Sequence, residues 1–406
     1  MKLKTALTIA TLATTVPLFS QGLYYVGQEA TKSIPLTWTV GASMIWDDNV
    51  TPTAPEGSLG FEDAVWSINP YVEANYTVID PRTSINFSAR AGMNYYFDGI
   101  AAPGASDTIP SFRSGFDFNH SISPRLRFSS RSFIAYEMEP QFALGISNDR
   151  TTDPYSLFST DNSVGYRWTP RVGSYTGIGF TSLSDRKSWN FYHQMRYQYT
   201  RRSVLTSQYR YTAWSGDASG SSNHFLTGGM EHRLSQNAIF LSSAGIQLRS
   251  LDNDQSQDSV SPFLEGSMRS QVNSAFGLRA FVRYSMEDFN TIQNVDGVAY
   301  EYSELQVFRV GLTGDYRITP RLTGAGGFDF VHTMFDAGNK RDIDDPGADT
   351  NSGLTEDLMN GYIGLRYQIN DALTLDCSIN YTESISETDN NDYNRLRLST
   401  GLNYTF

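Results

Sequence analysis

The chain has 406 residues, a formal net charge of −12 and a single cysteine. The acidic balance gives no support for nucleic-acid binding, and one cysteine excludes an intrachain disulfide. Beyond residue 22 no stretch reaches the roughly 18 unbroken apolar residues of a membrane helix, which argues against a helical membrane protein.

The N-terminus has the pattern of an export signal. Lys2 and Lys4 give a positive start, residues 5–19 are uncharged and mostly apolar or small, and small residues around Gly22 suit cleavage. We therefore predict a signal peptide over residues 1–22, with a buried N-terminal helix as the alternative. Residues 23–33 are predicted to be a short periplasmic segment, although they could also fold as a small plug inside the domain that follows.

From residue 34 onward, apolar and polar side chains alternate in many segments. A period of two predicts β-strands with two different faces. Aromatic residues make up 13% of the chain, which suits the aromatic girdles of membrane barrels. The alternation weakens over residues 161–168, 224–234 and 301–318, where we expect bulges or other strand edges. It is clear over residues 85–97, where the apolar set is Ile85, Phe87, Ala89, Ala91, Met93, Tyr95 and Phe97.

Short polar turns punctuate the chain, and several contain Pro-Arg. Proline sets the turn dihedral and cannot continue a strand ladder. Longer segments rich in Asp, Asn, Ser and Gly alternate with these turns, as they do in outer-membrane barrels with a short-turn rim and a long-loop rim. The short turns are Asp80–Arg82, Ser123–Arg125, Thr169–Arg171, Thr200–Arg202, Ser235–Asn237, Val272–Ser274, Thr319–Arg321 and Asn370–Ala372.

These turns set the expected architecture of residues 34–406. With a first strand near residues 34–46 and a last strand near 392–406, they predict a transmembrane antiparallel up-and-down β-barrel of about 18 strands, with about 16 as the alternative. A soluble β-sandwich would also alternate. However, it would rarely combine so many strands with an export signal and a terminal aromatic residue.

The last strand is amphipathic up to its final residue, Phe406. Its apolar side has nothing after it to cover it, so we expect lipid as its solvent. The end Ser399–Phe406 is similar to the general insertion signal of outer-membrane barrels, with Gly401, Tyr404 and Phe406 at the matching positions. That similarity implies the barrel-assembly machinery as a partner. Cys377 also falls on an apolar strand side, and we interpret it as a small lipid-facing hydrophobe.

Many arginines occupy the polar positions of the predicted strands. A charged side chain facing lipid at the bilayer midplane would cost about 2–4 kcal/mol, so these arginines indicate a watery interior. Arginine rings favour anions, which predicts a weak anion preference. Alternatively, the arginines pair with inward acids such as Glu73, Asp117, Glu265, Glu287, Asp329 and Asp376 and brace the wall. The predicted pore-lining residues are Arg90, Arg113, Arg127, Arg131, Arg196, Arg210, Arg279, Arg283, Arg366, Arg395 and Arg397, together with Arg269.

The acidic segment Asp336–Asp357 suggests divalent-cation binding, or a bridge to lipopolysaccharide through such a cation. Its spacing departs from the EF-hand pattern, so a solvated loop is the alternative. No G-x-S-x-G, Walker-type or dinucleotide motif occurs, and the five histidines lack metal-type spacing. We expect neither enzymatic activity nor a cofactor or metal centre.

The segment Trp46–Val50, an aromatic followed by Asp-Asp-Asn, lies after the first strand and before a long alternating region with Pro-Arg turns. This pattern resembles the β-barrel porin-2 family of bacterial outer-membrane proteins, and the resemblance covers Trp38–Phe406. Some members of that family are associated with exopolysaccharide or capsule systems.

The export signal and the pattern of short turns and long loops predict a location in the outer membrane of a Gram-negative-type bacterium, among outer-membrane lipids and lipopolysaccharide. A barrel of about 16 to 18 strands is wide enough for an aqueous channel. We therefore expect a porin-like channel for passive diffusion of small hydrophilic solutes, or of saccharides if the family association holds. The alternative is a plugged barrel with a structural or exopolysaccharide-export role. Because the lipid-facing positions lack an obvious polar patch, a monomer and a trimer both remain open.

Overall fold

The computed structural model of the chain describes residues 36–49, 64–97, 107–137, 155–183, 186–215, 220–251, 258–287, 291–295, 298–302, 305–335, 338–340, 350–351, 353–387 and 392–406. The predicted signal peptide over residues 1–22 and the predicted periplasmic segment over residues 23–33 lie outside these ranges and stay predictions. No helix in these ranges is long and apolar enough to cross a membrane.

The regular elements of the described chain are β-strands. In chain order they are β1 (Leu36–Asp47), β2 (Val65–Ile79), β3 (Thr83–Tyr96), β4 (Thr108–Ser121), β5 (Leu126–Glu137), β6 (Tyr155–Arg167), β7 (Val172–Leu183), β8 (Arg186–Gln198), β9 (Ser203–Ser215), β10 (Gly220–Ser235), β11 (Ala238–Leu251), β12 (Ser259–Gln271), β13 (Phe276–Glu287), β14 (Thr291–Val295), β15 (Val298–Tyr302), β16 (Leu305–Arg317), β17 (Leu322–Phe335), β18 (Gly338–Lys340), β19 (Thr350–Asn351), β20 (Leu354–Gln368), β21 (Leu373–Ser386) and β22 (Tyr393–Thr405). Strands β14, β15, β18 and β19 form a small separate sheet, and the others form one 18-stranded sheet.

The large sheet closes on itself. Each of its strands pairs antiparallel with the next one along the chain, including β13 with β16 and β17 with β20. The first strand also pairs with the last, from Thr39 opposite Thr405 to Asp47 opposite Arg397. Trp38 and Phe406 exchange two backbone hydrogen bonds of 3.1 and 2.9 Å across this seam. The predicted antiparallel up-and-down barrel of about 18 strands is therefore confirmed.

All the predicted short turns connect neighbouring barrel strands, and they share one rim with the start of β1 and the end of β22. Their side chains stabilise them locally. The Thr169 hydroxyl accepts hydrogen bonds of 3.2 and 3.1 Å from the backbone N–H groups of Arg171 and Val172. The Asn273 carboxamide oxygen does the same for the second and third residues after it, at 2.8 and 2.9 Å. Such Ser/Thr and Asx turns explain why these short polar segments reverse the chain.

The regions of weak alternation have different causes. In β10 the register shifts between Arg233 and Ser235, so a bulge lies where one was expected. Residues 161–168 contain no bulge, because β6 pairs in continuous register with both neighbours, but the end of β6 at Arg167 falls within this range. Within residues 301–318 a strand edge intervenes, since β15 ends at Tyr302 and β16 begins at Leu305.

The two faces of the barrel differ in chemistry. Large apolar side chains stand exposed on the outer face, among them Trp38 at 42%, Ile178 at 55% and Ile363 at 69%. Cys377 is also exposed on this face, as its apolar neighbours predicted. Polar and charged side chains alternate with these residues and lie on the inner face.

The outer face is not apolar throughout. Four polar side chains lie together on the outer face of β5 and β6 and are hydrogen-bonded to one another. They are Ser130, Ser132, Thr160 and Asn162. The expectation that this face lacks a polar patch was therefore wrong, because it rested on segments in which the alternation is clear.

Candidate functional site

The inner wall of the barrel carries most of the charge of the barrel strands and is the candidate functional site. Each arginine predicted to line the interior alternates in its strand with outer-face neighbours. All of them lie on the inner face, namely Arg90, Arg113, Arg127, Arg131, Arg196, Arg210, Arg269, Arg279, Arg283, Arg366, Arg395 and Arg397. The predicted inward acids share that face: Glu73, Asp117, Glu265, Glu287, Asp329 and Asp376.

A buried ion pair locks the seam between the first and last strands. Arg395 donates through Nε to Asp47 Oδ1 at 2.7 Å and through a second guanidinium nitrogen to Oδ2. The two side chains are only 2% and 6% exposed, and Arg397 lies 3.5 Å from the same carboxylate. The next residue, Asp48, accepts a hydrogen bond from the backbone N–H of Leu396, which follows Arg395. The Asp-Asp pair therefore ties β1 to β22 at the long-loop rim.

Two further ion pairs of the inner wall have both partners buried. Arg196 donates to Glu231 at 2.6 Å. Arg309 donates to both carboxylate oxygens of Glu287, at 3.1 and 2.8 Å. A buried charge whose partner is removed is strongly destabilising, so these pairs brace the wall.

Other ion pairs are more accessible. The Arg131 and Asp117 side chains are 39% and 41% exposed although their atoms approach to 2.6 Å. Exposed pairs contribute little to stability because water screens them. The pairs with at least one half-exposed partner are Arg131–Asp117, Arg366–Asp376 and Arg113–Glu137.

Some arginines lie on aromatic rings. The Arg90 guanidinium sits 3.6 Å from the centroid of the Tyr71 ring. The Arg210 guanidinium lies 3.9 Å from the Phe225 centroid and 5.4 Å from that of Phe263. Cation–π contacts hold the charge in place without neutralising it. A recess in the wall between β8 and β12 is lined in part by Arg210 and these two phenylalanines.

Like charges also face each other across neighbouring strands. Arg269 is directly opposite Arg279, and Arg283 is directly opposite Arg309. Directly opposed like charges destabilise a sheet unless other charges compensate. Arg269 is exposed to the interior near the short-turn rim. The wall around Arg269 therefore presents positive charge to the interior of the barrel.

The inner wall is more buried near the long-loop rim than near the short-turn rim. In β21, Thr382 is 2% and Ser384 3% exposed, whereas Asp376, nearer the short turns, is half-exposed. The same gradient runs along most barrel strands. Arg196 and Glu231 depart from it, because they are buried close to the short-turn rim. Among the described residues, the open part of the wall thus belongs mainly to the short-turn half.

Several inner-wall residues were not predicted from the sequence. Asp47 was missed because the first strand was expected to end at Trp46. Arg309 was missed because Leu305 and Val307, also on the inner face, are apolar and obscure the alternation of β16. Asp47 could have been predicted from its position, because it extends the apolar-polar alternation of the first strand by one residue. The others missed are Glu137, Asp161, Glu231, Arg249, Asp315 and Glu356.

Metal-binding geometry is absent from the described part of the chain, where no cluster of three or more His, Cys, Asp or Glu side chains is placed to hold an ion. Most of the acidic segment 336–357 lies outside the described residues. Glu356 and Asp357 belong to β20, so the segment is not one continuous loop. Asp357 pairs on the outer face with His332 at 2.6 Å.

Comparisons with known proteins find likenesses only among solved structures. No family model and no curated protein matches the chain. The outer membrane protein opdK from Pseudomonas aeruginosa is 11% identical over 91% of this chain and 99% of that one, with a TM-score of 0.46. OccAB4 from Acinetobacter baumannii is 9% identical over 92% and 99%, with a TM-score of 0.44.

A third likeness is the FrpB iron transporter from Neisseria meningitidis, F3-3 variant. It is 10% identical over 91% of this chain and 81% of that one, with a TM-score of 0.45. At these identities and TM-scores the likenesses assign no family and no solute. The barrel architecture follows from the strand pairing, and the resemblance to the porin-2 family stays a prediction.

Proposed function

We propose that the protein is an outer-membrane channel for passive diffusion of small hydrophilic solutes, with a weak preference for anions. The observation that carries this proposal is the contrast between a polar, charged inner wall and an apolar outer wall in a closed 18-stranded barrel. In hydrocarbon only closed barrels and helices satisfy every backbone group, and an outward apolar face is the one that lipid requires.

The width of the barrel supports a channel. Eighteen strands, spaced by about 4.8 Å and tilted by about 40°, give a wall radius of about 18 Å. Arginine side chains reach only part of that distance. The wall by itself therefore leaves room for hydrated solutes, unlike an eight-stranded barrel that side chains fill. Saccharides enter the proposal only through the family resemblance.

The preference for anions rests on the open part of the wall. Many arginines are paired with carboxylates and contribute little net field. Arg269, which is exposed to the interior near the short-turn rim, adds positive charge where the wall is accessible. Positive rings lower the barrier for anions and raise it for cations.

Two measurements test the proposal. The purified barrel in a planar bilayer should conduct, and the reversal potential in a salt gradient should have the sign of anion selectivity. Liposomes containing the barrel should swell in small sugars and stop swelling above a size limit. A reversal potential of cation sign would remove the anion preference, and absence of both conductance and swelling would remove the channel.

A second candidate, a plugged structural or export-associated barrel, is favoured by one observation. Polar side chains of the inner wall near the long-loop rim are almost fully buried, including Asn223 and Gln247 at 1% each. Burial of this kind is expected if the interior is filled at that level. This candidate predicts stable barrels in the bilayer with no unitary conductance and no swelling.

Outer-membrane lipids, lipopolysaccharide and the barrel-assembly machinery are the proposed partners, and no chemical step is proposed. The Tyr404 and Phe406 side chains are exposed on the outer face of β22, at 50% and 66%. Replacing Phe406 with Ser should lower the amount of barrel in the outer membrane while refolding in vitro is unchanged. Leu402→Ala, at another exposed outer-face position of β22, is the control.

A further inference from the structure

The outer face of the barrel carries a compact polar cluster between β5 and β6, called here the polar island. Ser130 lies directly opposite Asn162, and Ser132 directly opposite Thr160. Ser130 donates to the Asn162 carboxamide oxygen at 2.8 Å, and Asn162 Nδ2 donates to Thr160 at 3.2 Å. The hydroxyls of Ser132 and Thr160 are 3.0 Å apart. These four uncharged side chains form one hydrogen-bonded unit.

Apolar side chains occupy the eight outer-face positions directly adjacent to the polar island. The next outer-face pair toward the short turns is Phe128 with Val164, and the next pair toward the long loops is Ile134 with Phe158. The flanking strands β4 and β7 supply the other four apolar neighbours, with polar side chains at the diagonal positions. They place Phe116 and Phe118 on one side and Ile178 and Phe180 on the other. The island is therefore the polar centre of an apolar patch.

The polar island lies at the middle depth of the wall. Asn162 is separated from Arg167 at one end of β6 and from Tyr155 at the other by five and seven residues. At about 3.3 Å per residue, these separations are about 16 and 23 Å along the strand. Lipid headgroups at either rim do not reach that depth, and acyl chains offer no hydrogen bonds.

The hydrogen-bonding capacity of the island exceeds what it uses internally. The Asn162 carboxamide can donate two hydrogen bonds and accept two, and the island itself supplies one of each. More polar pairs continue along the same side of the outer face. Thr176 bonds to His193 at 2.8 Å, and Tyr209 bonds to His224 at 2.9 Å.

We infer that the polar island is the centre of an interface at which two copies of this chain pack together in the membrane. The island combines donors and acceptors without charge, so it is complementary to itself. The adjacent apolar side chains would pack around the contact and shield it from lipid. Small polar side chains act in this way between membrane-embedded segments, where the alternative is an unsatisfied group in hydrocarbon. A charged ligand or headgroup would require an opposite charge, and the island has none.

This interface depends on the outer face contacting lipid but not on which solute, if any, crosses the barrel. Its failure therefore leaves the conductance and swelling measurements unaffected. Conversely, a barrel that does not conduct could still form the interface.

Cysteine cross-linking in native outer membranes tests the contact directly. In a Cys377→Ser background, Ser132→Cys should form a covalent dimer with a short bis-maleimide. Ile363→Cys, at an exposed apolar position of β20, is the matched control and should remain monomeric. Absence of a Ser132→Cys dimer, or equal cross-linking at both positions, would overturn the inference. A heavier product containing a different protein would do the same.

Self-association provides the second test. The double variant Asn162→Leu/Thr160→Val should weaken association in lipid nanodiscs by about tenfold, equivalent to about 1.4 kcal/mol. Native mass spectrometry gives the oligomer fraction, and heat-modifiable electrophoretic mobility shows that each variant is folded. Thr400→Val, on the outer face of β22, is the control and should associate like the wild type. A monomeric wild type, or a folded double variant that associates normally, would refute the interface.

Discussion

Removing the charge of Asp47 should open the barrel seam more readily than removing any half-exposed carboxylate of the wall. The Asp47→Asn substitution keeps the shape of the side chain but leaves Arg395, which is 2% exposed, without its anionic partner. The pair makes two charge-assisted hydrogen bonds, and Arg397 lies 3.5 Å from the same carboxylate. Breaking a buried pair of this kind costs about 3–5 kcal/mol.

The assay is equilibrium unfolding of the barrel in detergent or vesicles with guanidinium, followed by the fluorescence of its six tryptophans. The matched control is Asp117→Asn, which removes the partner of Arg131 where the two side chains are 39% and 41% exposed. That change should cost about 0–1 kcal/mol. Equal losses for the two variants, or a loss below about 1 kcal/mol for Asp47→Asn, would refute the reasoning that burial decides the effect.

Three further predictions concern the wall. Arg269→Glu should move the reversal potential toward cation selectivity, because this arginine is exposed to the interior; a shift no larger than that of Arg321→Glu in a rim turn would contradict this. Gly245→Ala should destabilise the barrel by about 1–3 kcal/mol, because the added Cβ would collide with a backbone carbonyl oxygen of β10. In the same unfolding assay Gly361→Ala should be nearly neutral, because its Cβ would have no atom nearer than 4.0 Å. A nitroxide on Cys377 should be accessible to oxygen but not to a water-soluble nickel chelate; the reverse order in power-saturation measurements would mean that this face does not contact lipid.

The barrel could be predicted because its local rules are simple. Apolar and polar residues alternate clearly in strands such as β3, where Phe87 and Met93 lie outside and Arg90 lies inside. The turn residues are equally local, since Thr169 and Asn273 cap their own turns. The strand count follows from these two signals, and neither requires knowledge of distant contacts.

The pairing of charges could not be predicted in the same way. Asp47 and Arg395 belong to opposite ends of the chain and meet only because the barrel closes. The polar island was missed for a related reason. In β6, Thr160 and Asn162 put polar groups outside and Leu157 puts an apolar group inside, although Phe158, Val164 and Asp161 follow the usual pattern. Only the register with neighbouring strands shows which face such residues occupy.

The seam has a consequence for the order in which the molecule can assemble. Thr39 and Thr405 touch across 366 positions of sequence, so their contact is available only after the whole strand array has formed. Every shorter intermediate would present two open edges, which are templates for pairing with other chains. Barrel closure should therefore be the final event of assembly. Until the barrel closes, the polypeptide would need a chaperone to prevent its aggregation.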